Sequence, residues 1–316
     1  MIQMTSTGLE AIRCIVRSAH AHPKLAQSVA SLAAGRLPVA ADASSTPAPE
    51  SRNTGNLGFT LIELMVAIAI IGILAALLLP VLGKAKSNAQ ATQCLSNLRQ
   101  LQIGWTLFIS DHEDTLPPNS DGWNAGKDAD HPSWVAGNLR PEFLAGDKSD
   151  GTNESLLIGE RYAPFGSIGI YVKNPGVYRC PGDRSGRVRS ISMNSYMNGT
   201  GLWQNSNYVI FVRLSGIRKP DNTWVFIDER EDSINDGSFA VEMAAEYAII
   251  DYPASYHNGS GALAFADGHA EHHRWLESTT CPPLHRGYPL PPGRKYTSPG
   301  DRDMNWLTER TTEKKE

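Results

Sequence analysis

The sequence predicts an α+β fold: a long N-terminal α-helix, membrane-spanning over its first half, packed through its second half on an antiparallel β-sheet domain. Three observations carry this. Residues 59–82 are almost wholly apolar. Residues 91–108 place apolar side chains on a single helical face. From residue 111 onward the chain breaks into short β-like runs between Gly, Pro, Asn and Asp clusters. A striped helix laid on a one-faced sheet lets each bury its apolar side, which is the basis of α+β layering.

The first half of the helix reads FTLIELMVAIAIIGILAALLLPVL, 24 residues with one charge, Glu63. At about 1.5 Å per residue it spans roughly 36 Å, enough for a hydrocarbon core of about 30 Å. Pro80, near its end, is expected to weaken or kink the helix, because it removes a backbone donor. The helical pattern continues over residues 83–110. Ala91, Cys94, Leu98, Leu101, Trp105 and Phe108 follow at steps of 3, 4, 3, 4 and 3, a stripe one face wide. Lys84, Lys86, Asn88, Gln93, Asn97 and Arg99 occupy the other faces.

The helix ends at the turn-rich SDHEDTLPPNSDGW. A β-rich domain is expected over residues 111–276, with strands in SISMNSYM, NYVIFVRL, NTWVFIDE and GALAFAD. Asp267-Gly268 between two such runs signals a hairpin. Residues 277–316 are Pro-rich and polar and predict a loose tail. At the other end, residues 1–58 are rich in Ala, Ser and Pro and predict a disordered leader.

The formal net charge of −4 over 316 residues gives no basic footprint for nucleic acid. No G-x-S-x-G elbow, phosphate-binding loop or H-E-x-x-H occurs, so no catalytic turnover is expected. The cysteines, Cys14, Cys94, Cys180 and Cys281, match no paired C-x-x-C zinc spacing. Cys94 lies on the apolar stripe and Cys180 in the domain. A Cys94–Cys180 disulfide tying helix to sheet, worth about 2–4 kcal/mol, is one candidate state. Three unpaired thiols downstream of residue 58 are the other.

GFTLIELMVAIAIIGILAALLLP resembles the N-terminal signature of type IV pilins and type II secretion pseudopilins. The resemblance implies that a prepilin peptidase cuts after Gly58 and methylates the new N-terminal Phe59. Glu63 then takes the family's charged fifth mature position, and Pro80 the family's helix-weakening proline. The implied partners are the peptidase, other subunits through the helix, and inner-membrane lipid. The domain would be extracytoplasmic on a single-pass anchor. Physics agrees about Glu63: a carboxylate inside an apolar span costs up to roughly 2.5–3.5 kcal/mol on insertion scales, and such charges are kept for a function. The free α-amino group of Phe59 from an incoming subunit would meet it. A secretory signal would have a shorter apolar stretch and a small-residue cut site. Lys84 and Lys86 lie on the side taken as external, so the positive-inside rule does not fix topology.

His257, nine residues, then Asp267-Gly268 is similar to the H-x9-D-G element near the C-terminus of many pseudopilin-like proteins, and YRCPGDRS and VFIDE are similar to further elements of that group. Asp183, Asp228, Glu229, His257 and Asp267 are thereby a candidate Ca²⁺ set, since oxygen donors suit that ion. The alternative is that Asp267-Gly268 is only a turn and His257 only a loop hydrogen-bonder. His269, His272 and His273 lie on a strand, where His272 and His273 point to opposite faces. The expected role is a structural assembly subunit. The alternative is a monomeric anchored binding module, for example for polysaccharide, built on Trp123, Trp134, Trp203 and Trp275.

Overall fold

The computed structural model describes residues 60–140, 149–201, 203–243, 248–284, 294–295 and 300–316. Gly58 and Phe59 lie outside the described residues, as does the leader before them. Helix α1, Leu61–Asp111, is one element of 51 residues. It continues as α-helix through position 80, where the sequence predicts weakening. One missing donor does not end a helix whose flanks are Leu, Ala and Val. Termination comes at Glu113 and Asp114, both with positive φ (52° and 69°), which turn the chain out of the helical path.

The predicted stripe is the buried face of α1. Cys94, Leu98, Leu101, Trp105 and Phe108 enter the core, whereas Ile103 is 60% exposed. Asn97, expected on an outer face, is also buried. Its Nδ2 donates to the carbonyls of Arg179 (2.9 Å) and Gly176 (3.3 Å), fastening the helix to a 3-10 turn at Pro175–Tyr178.

Two single-turn helices, α2 (Ser149–Thr152) and α3 (Ser155–Ile158), precede the sheet. The sheet contains β1 (Ile191–Asn194), β2 (Trp224–Asp228), β3 (Ser238–Phe239), β5 (Ser260–Phe265) and β6 (Ala270–Arg274) in the order β3-β1-β2-β5-β6. A separate pair joins β4 (Ala248–Ile249) to β7 (Arg294–Lys295). The pairings β1/β2, β2/β5 and β5/β6 are antiparallel as predicted. The pairing β1/β3 is parallel, so the sheet is mixed. The β5–β6 hairpin turns at Asp267-Gly268, where Gly268 has φ +96°, a conformation that a β-carbon would strain. NYVIFVRL is not a strand. It is held by isolated bridges at Tyr208, Phe211 and Arg213.

The sheet is covered on both faces. On one side α1 packs over Met193, Phe226, Ala262 and Ala264. On the other lie Trp224, Ile227, Leu263 and Phe265. The C-terminal segment covers this second face, which corrects the expectation of a loose tail. Helix α4, Arg302–Thr308, buries Met304 and Leu307 against it. The Asp301 carboxylate caps α4 by accepting from the backbone of Asp303 and Met304. Thr311 accepts from Trp224 Nε1 (3.1 Å) at Oγ1 and from Asn194 Nδ2 (2.7 Å) at its carbonyl. A strand buried on both sides, such as WVFI, needs this second layer.

Candidate functional site

Two features of the described residues lack an explanation within one folded subunit. The first is the N-terminal half of α1. Its most apolar 18-residue window has a mean hydropathy of 2.9, and none of it is buried. Leu64, Met65, Val66, Ile68, Ile70 and Leu74 are all exposed, and at about 100° per residue they point all round the axis. Among the described residues it is the one helix long and apolar enough to cross a membrane. Glu63, also exposed, sits in its first turn. There a carboxylate complements the positive end of the helix dipole.

The second feature is a buried cluster between α1 and the sheet. Cys94 from α1, Cys180 from the loop after the 3-10 turn, Asp228 from the end of β2 and His257 from the loop before β5 converge. One donor atom from each lies within 4.8 Å of all the others. The Cys180 sulfur is 3.1 Å from His257 Nε2, and the Cys94 sulfur is 3.9 Å from Asp228 Oδ2. Ser190 connects two members. Its Oγ accepts from the Cys180 amide (2.8 Å) and donates to Asp228 Oδ1 (2.8 Å). The Gly182 amide donates to the Cys180 sulfur (3.3 Å). The two cysteines are free thiols, side by side and not bridged.

The cluster's electrostatics favour neutral forms. Burial, then the neighbouring Cys180, pushes the Asp228 carboxyl well above its usual range. Burial and the adjacent His272 lower the His257 imidazole to about 4. A hydrogen bond with Cys180 pulls the Cys94 thiol down, but burial and Asp228 outweigh it and leave it raised. The hydrogen bond from Cys94, with burial, pushes Cys180 far up. Each shift is what four ionisable groups sharing one dry space must show.

Of the five carboxylate and imidazole residues predicted as a Ca²⁺ set, only Asp228 and His257 meet. Glu229 follows Asp228 in the chain and so points to the opposite side of the sheet. It accepts from Ser192 (2.6 Å) and Ser233 (2.7 Å) there. Asp267 lies beyond the far end of β5, about 20 Å away for six residues of strand. It caps its own turn by accepting from the His269 amide at 3.0 Å. Asp183 is buried nearby, and its Oδ1 accepts from the Ser185 amide (2.7 Å), outside the cluster of four. The sulfurs are the ligands that the set of four carboxylates and one imidazole leaves out. Their signal in the sequence is Cys94 itself, a thiol on the one helical face that meets the sheet. His272 bonds to the Ala91 carbonyl (3.0 Å), while His273 stacks on Trp306 at 3.7 Å on the other face.

A third site is a surface cleft of about 210 Å³ lined by Asp121, Trp123, Arg140, Trp203, Asp236 and Asp251. Trp123 and Trp203 are 48% and 43% exposed. Trp134 and Trp275 are core residues, donating to the carbonyls of Gly237 (2.8 Å) and Ala254 (2.9 Å).

Residues 54–79 match the family model described as the prokaryotic N-terminal methylation motif. The type IV major pilin protein PilA of Myxococcus xanthus (strain DK1622) is 41% identical over 61 residues, 19% of this chain and 28% of the pilin. A fimbrial protein of Dichelobacter nodosus is 38% identical over 98 residues, 31% of this chain and 55% of its own length. A fimbrial protein of Pseudomonas aeruginosa is 30% identical over 132 residues, 39% of this chain and 83% of that protein. No solved structure matches the chain. With the methylation motif at the head of the exposed helix, and with most of a fimbrial protein's length covered, the chain belongs to the type IV pilin family.

Proposed function

We propose that this chain is a structural subunit of a type IV pilus or a type II secretion pseudopilus. A prepilin peptidase cuts it after Gly58 and methylates Phe59. The apolar half of α1 first anchors it in the inner membrane, with the β domain extracytoplasmic, and later packs against the same half-helix of other subunits. Glu63 pairs with the α-amino group of a neighbour's Phe59. The subunit performs no turnover. The observation that carries this reading is the unburied apolar half of α1, continuous as one helix with a half that packs in the domain core. Lipid and then neighbouring helices are the two surroundings that would cover it.

Site-specific photo-crosslinking tests the reading. A crosslinker at Ile70 or Leu74 should give a ladder of multimers from assembled cells, and one at Trp123 should not. A monomer from all three positions would contradict the subunit role. The cleft supports a second reading, an anchored glycan-binding module, because exposed tryptophans beside carboxylates suit sugar rings and hydroxyls. Under that reading the monomer binds glycan with a change in tryptophan fluorescence, and Trp203→Ala abolishes it.

A further inference from the structure

We infer that Cys94, Cys180, Asp228 and His257 form a structural zinc site that pins helix α1 to the sheet domain. The spacing of the donors is the first ground. Around a tetrahedral zinc with bonds of about 2.0–2.3 Å, ligand atoms sit roughly 3.3–3.8 Å apart. The sulfur–imidazole and sulfur–carboxylate separations of 3.1 and 3.9 Å bracket that range.

The chemistry of the donor set is the second ground. Two thiolates and an imidazole are soft to borderline ligands, which suit zinc and are poor partners for Ca²⁺ or Mg²⁺, and zinc also accepts the one carboxylate oxygen. All four residues are buried, with four protein donors, so no coordination position opens to solvent. That is the pattern of a structural site rather than a catalytic one.

Preorganisation is the third ground. The donors come from one helix, one strand end and two loops, far apart in sequence and fixed by separate packing. Ser190 orients Asp228 and Cys180 together. Gly182 N–H points at the Cys180 sulfur, where a thiolate would receive it. Such outer contacts fix ligand geometry in metal sites. Binding is a proton exchange. One Zn²⁺ enters as Cys94 and Cys180 each release a thiol proton and Asp228 its carboxyl proton to solvent, while the neutral His257 supplies a lone pair. No oxidant or reductant is involved. A Cys94–Cys180 disulfide would instead remove two electrons and both thiol protons, and would leave Asp228 and His257 facing the bridge with no shared ligand.

The full chain, purified in detergent without chelator, distinguishes these outcomes. Elemental analysis should find one zinc per chain, and thiol counting after denaturation should find every cysteine reduced. Replacing zinc with Co²⁺ should give the visible bands of a tetrahedral site together with thiolate-to-cobalt charge transfer. Asp228→Asn should lower zinc content at least tenfold, a change to which a disulfide would be indifferent, and Cys281→Ser should leave zinc unchanged. Ser190→Ala should weaken zinc affinity by about 10–100-fold while keeping the cobalt bands. If Asp228→Asn does not fold, the cobalt spectrum and a rise in Tm on returning zinc to the chelated wild-type chain still decide the matter. A Cys94–Cys180 disulfide in the isolated chain would overturn the inference. So would reduced thiols with no bound metal and no Tm response to added zinc.

Discussion

Asp236 is almost wholly buried and accepts from the amides of Gly122 (2.6 Å) and Ser238 (2.9 Å). Burial outweighs those two donors, Asp121 adds repulsion that Arg189 partly offsets, and the carboxyl is raised to about 6. The folded state thus holds this proton more tightly than the unfolded chain, whose carboxyl titrates near 4. The stabilisation is full below about pH 4 and is lost as pH rises through about 6, at most about 3 kcal/mol. Urea unfolding of wild type and Asp236→Asn between pH 4 and 7 isolates this contribution. The wild type should lose stability relative to the variant across that range, whereas a constant difference would contradict the assignment. At Glu63 the prediction concerns assembly. Glu63→Ala should insert normally and enter filaments at least tenfold less, a loss that needs only about 1.4 kcal/mol of subunit affinity. Quantitative blotting of sheared filaments reads it, and wild-type incorporation would refute the ion pair. The period of two that separates His272 from His273 also separates Asp228 from Glu229. The sequence therefore already contains the reason those two carboxylates cannot share an ion.

Among the elements, α1 was the most legible. Its stripe repeats over five steps without a break, and a helix with one apolar face has one way to dock. Trp105→Ala should therefore cost about 3–5 kcal/mol by denaturant unfolding. Ile103→Ala, two residues away on the open face, should stay within about 0.5 kcal/mol. Equal costs at the two positions would mean that the helix does not dock through this stripe. Strand β2 was legible as a strand from WVFI. NYVIFVRL has the same texture and is not one. Its ladder partners never arrive, because Phe211 and Arg213 bridge to loop residues and Tyr208 to the C-terminal segment. Composition reports that a run fits a pleated surface, and the pairing is decided by the rest of the chain.

At the scale of the whole molecule, the C-terminal segment was hidden by its composition. Among its described residues, Met304 and Leu307, with Trp306 and Cys281 alongside, are the apolar ones packed on this face, while Asp301 caps and Thr311 hydrogen-bonds to the sheet, so the segment reads as polar. The demand for it was written elsewhere, in strands apolar on both faces. Deleting residues 300–316 should uncover Trp224 and Leu263 and abolish cooperative unfolding. Burying Met304 and Leu307 contributes about 1.5–3 kcal/mol each, a large part of a domain's net stability. A deletion variant with an unchanged unfolding transition would show that the second layer is dispensable. The remaining imbalance is the apolar half of α1, which no part of the described subunit covers. Membrane and filament are the two surroundings proposed for it, with cleavage proposed as the step that admits the chain to the second. The most direct test is the intact mass and N-terminal sequence of the chain recovered from membranes of cells with an active prepilin peptidase. The account predicts a chain of 258 residues (316 − 58) beginning at N-methylated Phe59. A chain that keeps residues 1–58 in cells that process their other pilins would contradict it.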